Sequence, residues 1–140
     1  MLAFDFGTRR IGVATGQTLT GTANAAGVVA AFDGAPDWAA VDTCIAQWAP
    51  ARLLVGLPYN MDGSDTTTTT ACRRFGEQLA RRSGLPVEFV DERLTSAAAY
   101  DELRSERRSG ARSRRVRPGD VDANAARLIL LSWMAKTVSS

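Results

Sequence analysis

Four acidic residues at three places in the chain carry the chemistry this sequence can offer. They are Asp5 in Leu2-Ala3-Phe4-Asp5-Phe6, the neighbours Asp91 and Glu92 in "VEFVDE", and Asp122 in "VDANAARLIL". A carboxylate set among apolar residues on a half-buried strand loses solvation that something nearby must restore. Ligand sites in open α/β sheets gather at the carboxyl ends of strands, where helix starts can join them. Carboxylates brought together there repel one another, and a divalent cation resolves the repulsion. Mg²⁺ accepts one or two carboxylates together with phosphate oxygens and water. An ion held there lowers the pKa of a bound water, and where two are held, about 3.5–4 Å apart, the second stabilises a leaving oxygen. Each acid also has a purely structural use. Asp5 can start the turn before Gly7, Glu92 can pair with Arg93 on the surface, and Asp122 can cap a helix.

Composition narrows the alternatives. The chain of 140 residues has no histidine, which excludes a Ser-His-Asp triad, an imidazole base and an imidazole metal site. Cys44 and Cys72 form no Cys-x-x-Cys pair, so neither a zinc ribbon nor a disulfide framework is indicated. Lys136 is the only lysine among 17 basic residues, and no Gly-Lys-Ser/Thr sequence exists, which excludes a P-loop. Arginine binds phosphate through a planar fork, so its abundance suits a nucleic-acid partner, although genomic base composition can also favour it. The net charge of +2 decides less than its placement. Seven arginines between Arg104 and Arg117, including Arg112, Arg114 and Arg115, face one acid, Glu106, and predict a mobile basic loop over about 104–119.

The elements that must position the acids can be read from spacing. Residues 2–6 and about 10–16 read as strands joined by a tight connection, and 21–32 as a third. Trp38, Val41, Ile45 and Trp48 recur at helical intervals, with Asp37 able to cap them. "RLLVGL" from Arg52 to Leu57, ended by Pro58, has the form of a buried parallel strand. A helix from Thr66 to about Arg82 places Cys72, Phe75 and Leu79 on one face, and Gly84 and Pro86 end it. Val87 to Asp91 is another strand. Thr95 to about Glu106 reads as a helix, and Val121 to Val138 as the last one, with Asp122 in its first turn above a stripe of Ala126, Ile129, Leu130 and Trp133. Strands first, then helices alternating with strands, give an α/β fold in one domain, residues 1–140: an antiparallel meander of three strands extended by parallel additions.

Four blocks in order, "AFDFGTRRIGVATG", "LLVGLPYNMDGS", "VDERLTSAAA" and "VDANAARLIL", resemble the YqgF or RuvX family of pre-16S rRNA nucleases, also described as Holliday-junction-resolvase-like. The resemblance covers essentially the whole chain. It implies a ribonuclease-H-like fold, a mixed five-stranded sheet with helices on both faces. It also implies a site in which Asp5, Glu92 and Asp122 are the catalytic and metal-holding acids, with Asp91 beside them, using Mg²⁺ or Mn²⁺ as one or two ions. Related junction resolvases carry an acid after the fourth strand, where this chain has Gly56-Leu57-Pro58, so the site is not a copy of theirs.

Around these acids, Thr8, Arg9 and Arg10 follow the first strand closely enough to touch substrate phosphates. Asn60 and Asp62-Gly63 belong to a loop at the same edge, and Arg93 can hold a phosphate beside Glu92. Arg112, Arg114 and Arg115 bind nucleic acid from the basic segment. The expected partner is structured RNA, the 16S rRNA precursor, with branched DNA as the second substrate class. The alternatives are a junction-resolving DNA nuclease and an rRNA-binding assembly factor that does not cut. "DFGT" also resembles the phosphate turn of actin-like and sugar-kinase ATPases, but those carry the turn twice and this chain has it once. With no signal-peptide pattern and no apolar run approaching about 18 residues, the expectation is a soluble cytoplasmic protein, monomer or homodimer, with no membrane partner.

Overall fold

A computed structural model describes residues 1–58, 63–91 and 118–139 of the chain. Alternation of side chains along the strands sorts them onto two faces. β1 (Leu2–Asp5) pairs antiparallel with β2 (Arg10–Gln17), which pairs antiparallel with β3 (Thr22–Phe32). On its other side β1 pairs parallel with β5 (Leu53–Leu57), and β5 parallel with β6 (Val87–Asp91). The meander with parallel additions is therefore present. A sixth strand corrects the expected five: the two-residue β4 (Ala35–Pro36) pairs with Ala31 and Phe32 of β3, and the sheet order is β4-β3-β2-β1-β5-β6. The cause lies in Asp33-Gly34, both at positive φ (49° and 83°), the backbone of a two-residue hairpin that Asp-Gly favours. Pro36 has no N–H to give a longer ladder, so the strand stops there.

Helices cover both faces. α1 (Trp38–Trp48) and α2 (Thr67–Ser83) pack against Leu2, Phe4, Phe6, Ile11, Val13, Leu53 and Val55. Asp37 caps α1, its Oδ1 accepting from the Ala40 amide at 3.2 Å. Val41 is buried, whereas Trp48, expected on the same stripe, is 42% exposed because the helix ends at its own position. Cys72, Phe75 and Leu79 are buried as their spacing predicts. Phe75 gathers Phe4, Phe6 and Trp38 around it, with centroids at 5.8, 5.0 and 5.5 Å. The threonine run resolves as a helix start: Thr66 and Thr69 form a reciprocal capping box, and Gly84 closes α2 in the left-handed conformation.

α3 (Pro118–Ser139) occupies the other face, where Ala126, Ile129, Leu130 and Met134 pack on Ala3, Ala14 and Leu54. It begins three residues before the predicted start, with Pro118 as its first residue, a position where the missing N–H costs nothing. Pro118 and Gly119, read from sequence as the end of the basic segment, thus belong to the helix. Asp122 consequently lies beyond the first turn, which removes its reading as a cap. At the far end, Trp133 donates to Glu88 of β6, and Arg52 both pairs with Glu88 at 2.6 Å and lies over the Trp133 ring at 5.3 Å. No helix among the described residues is long and apolar enough to cross a membrane. The helix predicted over about 95–106 lies outside the described residues.

Thr66→Ala removes the capping oxygen and leaves amides at the start of α2 without their acceptor. We expect a loss of about 1 kcal/mol in urea unfolding, with an unchanged m-value.

Candidate active site at the carboxyl end of the first strand

Asp5 is the last residue of β1 and is half-buried. Leu2 and Phe4 point into the core under α1 and α2, while Ala3 points to α3. Alternation therefore places Asp5 on the α3 face. Its cross-strand partner is Gly12 of β2, on the same face. A side chain at Gly12 would overlap the carbonyl oxygen of Asp122, and its Cβ would lie 2.9 Å from the Ala123 amide nitrogen. The backbone of α3 thus rests directly on β2 beside Asp5, which only glycine permits.

A second contact fixes the direction of the helix. The Cβ of a side chain at Gly16 would lie 2.9 Å from Met134 Cε and 3.2 Å from Leu130 Cδ1. Four strand residues from Gly12 to Gly16 span about 14 Å, and the 8 to 12 helical residues from Asp122 to Leu130 and Met134 span about 12–18 Å. The lengths match, so α3 runs along β2 in the same direction, and Asp122 arrives at the end of the sheet where β1 finishes.

Asp122 is held by a charge. Arg10, at the start of β2, donates from Nε to its Oδ2 at 2.8 Å, with the side chains 43% and 27% exposed respectively. Thr8 and Arg9, exposed in the connection between β1 and β2, are fastened by their backbone: Gly34 N donates to Thr8 O at 3.0 Å and Ala31 N to Arg9 O at 2.9 Å. Of the residues named from sequence as phosphate contacts, Thr8, Arg9 and Arg10 therefore stand at the edge that holds Asp5 and Asp122.

Asp91 does not join them. In β6, Glu88 and Val90 face α3, whereas Val87 packs into the α1–α2 core and Phe89 abuts Gly76 of α2. Asp91 continues the second set and is exposed. Glu92, Arg93, Asn60, Asp62, Arg112, Arg114 and Arg115 lie outside the described residues. Among the described residues no group of three potential metal ligands is found; the acids that adjoin Gly12 are Asp5, across the strand pair, and Asp122, through its backbone. Burial pushes the Cys44 thiol above its ordinary pKa, which keeps it protonated and out of nucleophilic chemistry.

Gly12 and the Arg10–Asp122 pair are the two features that motif reading missed. The signal for the first is Gly12, Ala14 and Gly16 at alternating positions of one strand, a track of minimal side chains that marks a closely approaching backbone.

A mixed sheet with an antiparallel meander, parallel additions and acids at the end of its first strand defines a ribonuclease-H-like α/β protein. The fold is similar to that of Thermus thermophilus RuvC. One structure, of RuvC in complex with a Holliday junction substrate, covers 100% of this chain and 97% of its own at 15% identity with a TM-score of 0.59. Another T. thermophilus RuvC structure aligns over 96% of this chain with a TM-score of 0.54. The family described as "RuvX: Holliday junction resolvase" matches residues 1–136, and this chain belongs to it. A Coxiella burnetii (strain Dugway 5J108-111) protein is 47% identical over 133 residues, 95% of this chain and 90% of the relative. One from Pasteurella multocida (strain Pm70) is 46% identical, covering 95% and 92%. Both carry the name "Putative pre-16S rRNA nuclease".

Gly12→Ala forces either α3 or β2 to move, because the obstacle is backbone. A loss of about 1–3 kcal/mol is expected. In ¹⁵N-correlated NMR spectra the largest shift changes should cluster at residues 5 and 119–126 and spare α2.

Proposed function

We propose that the protein is a divalent-metal-dependent hydrolase that cleaves phosphodiester bonds in the 16S rRNA precursor, with Asp5, Glu92 and Asp122 as its metal-holding acids. The observation that carries the reading is that Asp5 and the backbone of Asp122 both adjoin Gly12, on one face at one end of the sheet. Family membership and the names of its relatives support the substrate. Asp5 and Asp122 fit a hard cation. They are oxygen donors at a partly solvated edge, and one already holds a positive group in the form of the Arg10 guanidinium. Asp91 belongs to the opposite face, which speaks against it as the third acid; the family resemblance implies Glu92 in that role.

A bound divalent ion would supply Lewis-acid polarisation of the phosphoryl oxygen and an attacking water of lowered pKa. The chain's own groups do the rest. The acids fix the direction of approach, and no histidine is needed as a base. Arg9 and Thr8 project from a connection anchored to β3, positioned to hold the phosphate flanking the scissile bond. Residues 1–140 act as one domain, and the arginines from 104 to 117 add phosphate contacts along the substrate. The setting is cytoplasmic, and the same assay decides between one chain and a pair as the active form. Branched DNA is the second substrate class, favoured by the family's description as a Holliday junction resolvase. β5 itself, "LLVGL", contributes no acid.

The test is cleavage of 16S precursor RNA and of a four-way DNA junction, with and without Mg²⁺ or Mn²⁺, across a range of protein concentrations. Asp5→Asn should lower metal-dependent cleavage by more than about a hundredfold, beyond the cost of losing an outer partner of a metal ligand, while the circular dichroism spectrum stays native. Full activity in EDTA, or an active Asp5→Asn protein, overturns the reading. RNA binding without cleavage under every metal condition identifies the assembly-factor alternative.

Replacing Arg112, Arg114 and Arg115 together should weaken binding of unrelated RNA sequences to similar degrees. The slope of log K against log salt should flatten by up to about two units, at about 0.7 per lost phosphate contact on single strands. Turnover at saturating RNA should change far less. Filter binding between 50 and 200 mM salt checks this, and an unchanged slope removes the segment from the interface.

A further inference from the structure

Arg10 holds Asp122 by half of what an arginine can offer. Its Nε donates to Oδ2 at 2.8 Å, and this is the one hydrogen bond that either side chain makes among the described residues. Among the described residues the two Nη groups have no partner, nor does Asp122 Oδ1. An arginine retained only to fix a carboxylate would be expected to use the bidentate fork that the two groups share. The pair is also open to water on both sides, where ion pairs are weak and exchangeable. Arg10 lies on the same face as Gly12, two residues away along β2, and adjoins the exposed Thr8–Arg9 connection. Its guanidinium is therefore within a side chain's swing of both the acids and any phosphate resting on that edge.

We infer that Arg10 is a positioning residue that occupies Asp122 in the cation-free protein and moves onto a substrate phosphate when a divalent ion takes that carboxylate. The inference rests on the metal reading of Asp5 and Asp122 given above and adds a role for the guanidinium. A cation and Arg10 compete for Oδ2, so metal loading and phosphate capture are coupled: the ion that neutralises the acids frees the group that binds the anion. Without the ion, Arg10 relieves the repulsion between neighbouring carboxylates. With it, the guanidinium is driven outward by the new positive charge.

The experiment compares the full-length protein with Arg10→Gln, Arg10→Lys and Asp5→Asn in two measurements. Mn²⁺ titration followed by electron paramagnetic resonance should show Arg10→Gln binding the ion about two- to fivefold more tightly than the parent, the range set by an exposed ion pair. Arg10→Lys, which keeps the charge but lacks Nε, should fall between them, and Asp5→Asn should abolish the site. RNA binding at low temperature, with Ca²⁺ in place of a turnover-supporting ion, should weaken in Arg10→Gln and lose about 0.7 from its salt slope. In EDTA that variant should match the parent. Equal, Asp5-dependent Mn²⁺ affinity in parent and Arg10→Gln overturns the exchange and leaves the metal reading standing. So does an RNA-binding loss of the same size with and without Ca²⁺, which marks a permanent phosphate contact. Absence of Asp5-dependent Mn²⁺ binding in every variant overturns the metal reading, and the inference with it.

Discussion

The contact between Gly12 and the backbone of α3 is the constraint on which the rest of the site depends. A helix laid on a sheet ordinarily stands off by the thickness of two layers of side chains. Here one layer is missing, because β2 presents Gly12, Ala14 and Gly16 to the helix and α3 answers with Ala123 and Ala126 near its start. The helix axis is drawn toward the sheet at that end, and Asp122 comes down to the level at which Asp5 leaves β1. Burial of Ile129, Leu130 and Met134 further along supplies apolar area that holds the helix in place, and the Trp133–Glu88–Arg52 cluster ties its later turns to β5 and β6. The acid is thus placed by packing well away from it.

The two faces of the sheet divide the work. Beneath α1 and α2 lie the large side chains, Phe4, Phe6, Phe75, Leu53 and Leu79, closely interlocked. Substituting any of these would be felt as a cavity. The α3 face carries small residues near the site and leaves the end of β1 accessible to water. β1 shows the division within four residues: Leu2 and Phe4 go to the core, Ala3 to the helix, and Asp5 to the edge where β1 ends. Its carboxylate is therefore tolerable on a strand that is otherwise buried, because it sits at the strand's end, on the thin face and half-exposed. The desolvation that a mid-strand aspartate would suffer is largely avoided.

Much of this was legible in the sequence, for identifiable reasons. β5 shows as an unbroken apolar run because it is covered on both faces. α2 shows because a threonine capping signal, a 3–4 apolar spacing and a terminal glycine agree. Asp5 shows because a charge interrupts an apolar strand. What escaped reading was set by backbone geometry or by partners distant in the chain. β4 depends on the turn at Asp33-Gly34, whose dipeptide is a hairpin signal that the longer pattern of β3 obscured. The first turn of α3 shows no apolar periodicity, which begins only after it, and Pro118 is its one sequence mark. The Arg10–Asp122 pair joins residues 112 positions apart, and no local pattern announces such a contact.

The end of β6 illustrates how strongly the sheet filters a motif. Asp91 belongs to the set of β6 side chains that faces α2, and a cation can be shared with Asp5 from the α3 face only. Phe89 fills the space over Gly76, which pins the parity of β6: sliding the strand by one residue would send Phe89 toward α3 and Glu88 into the apolar layer against α2. Both changes are costly, the first in lost aromatic packing and the second in a buried carboxylate. Asp91 is therefore kept off the face that carries Asp5 and α3 by a phenylalanine packed on a glycine, on the opposite face of the sheet.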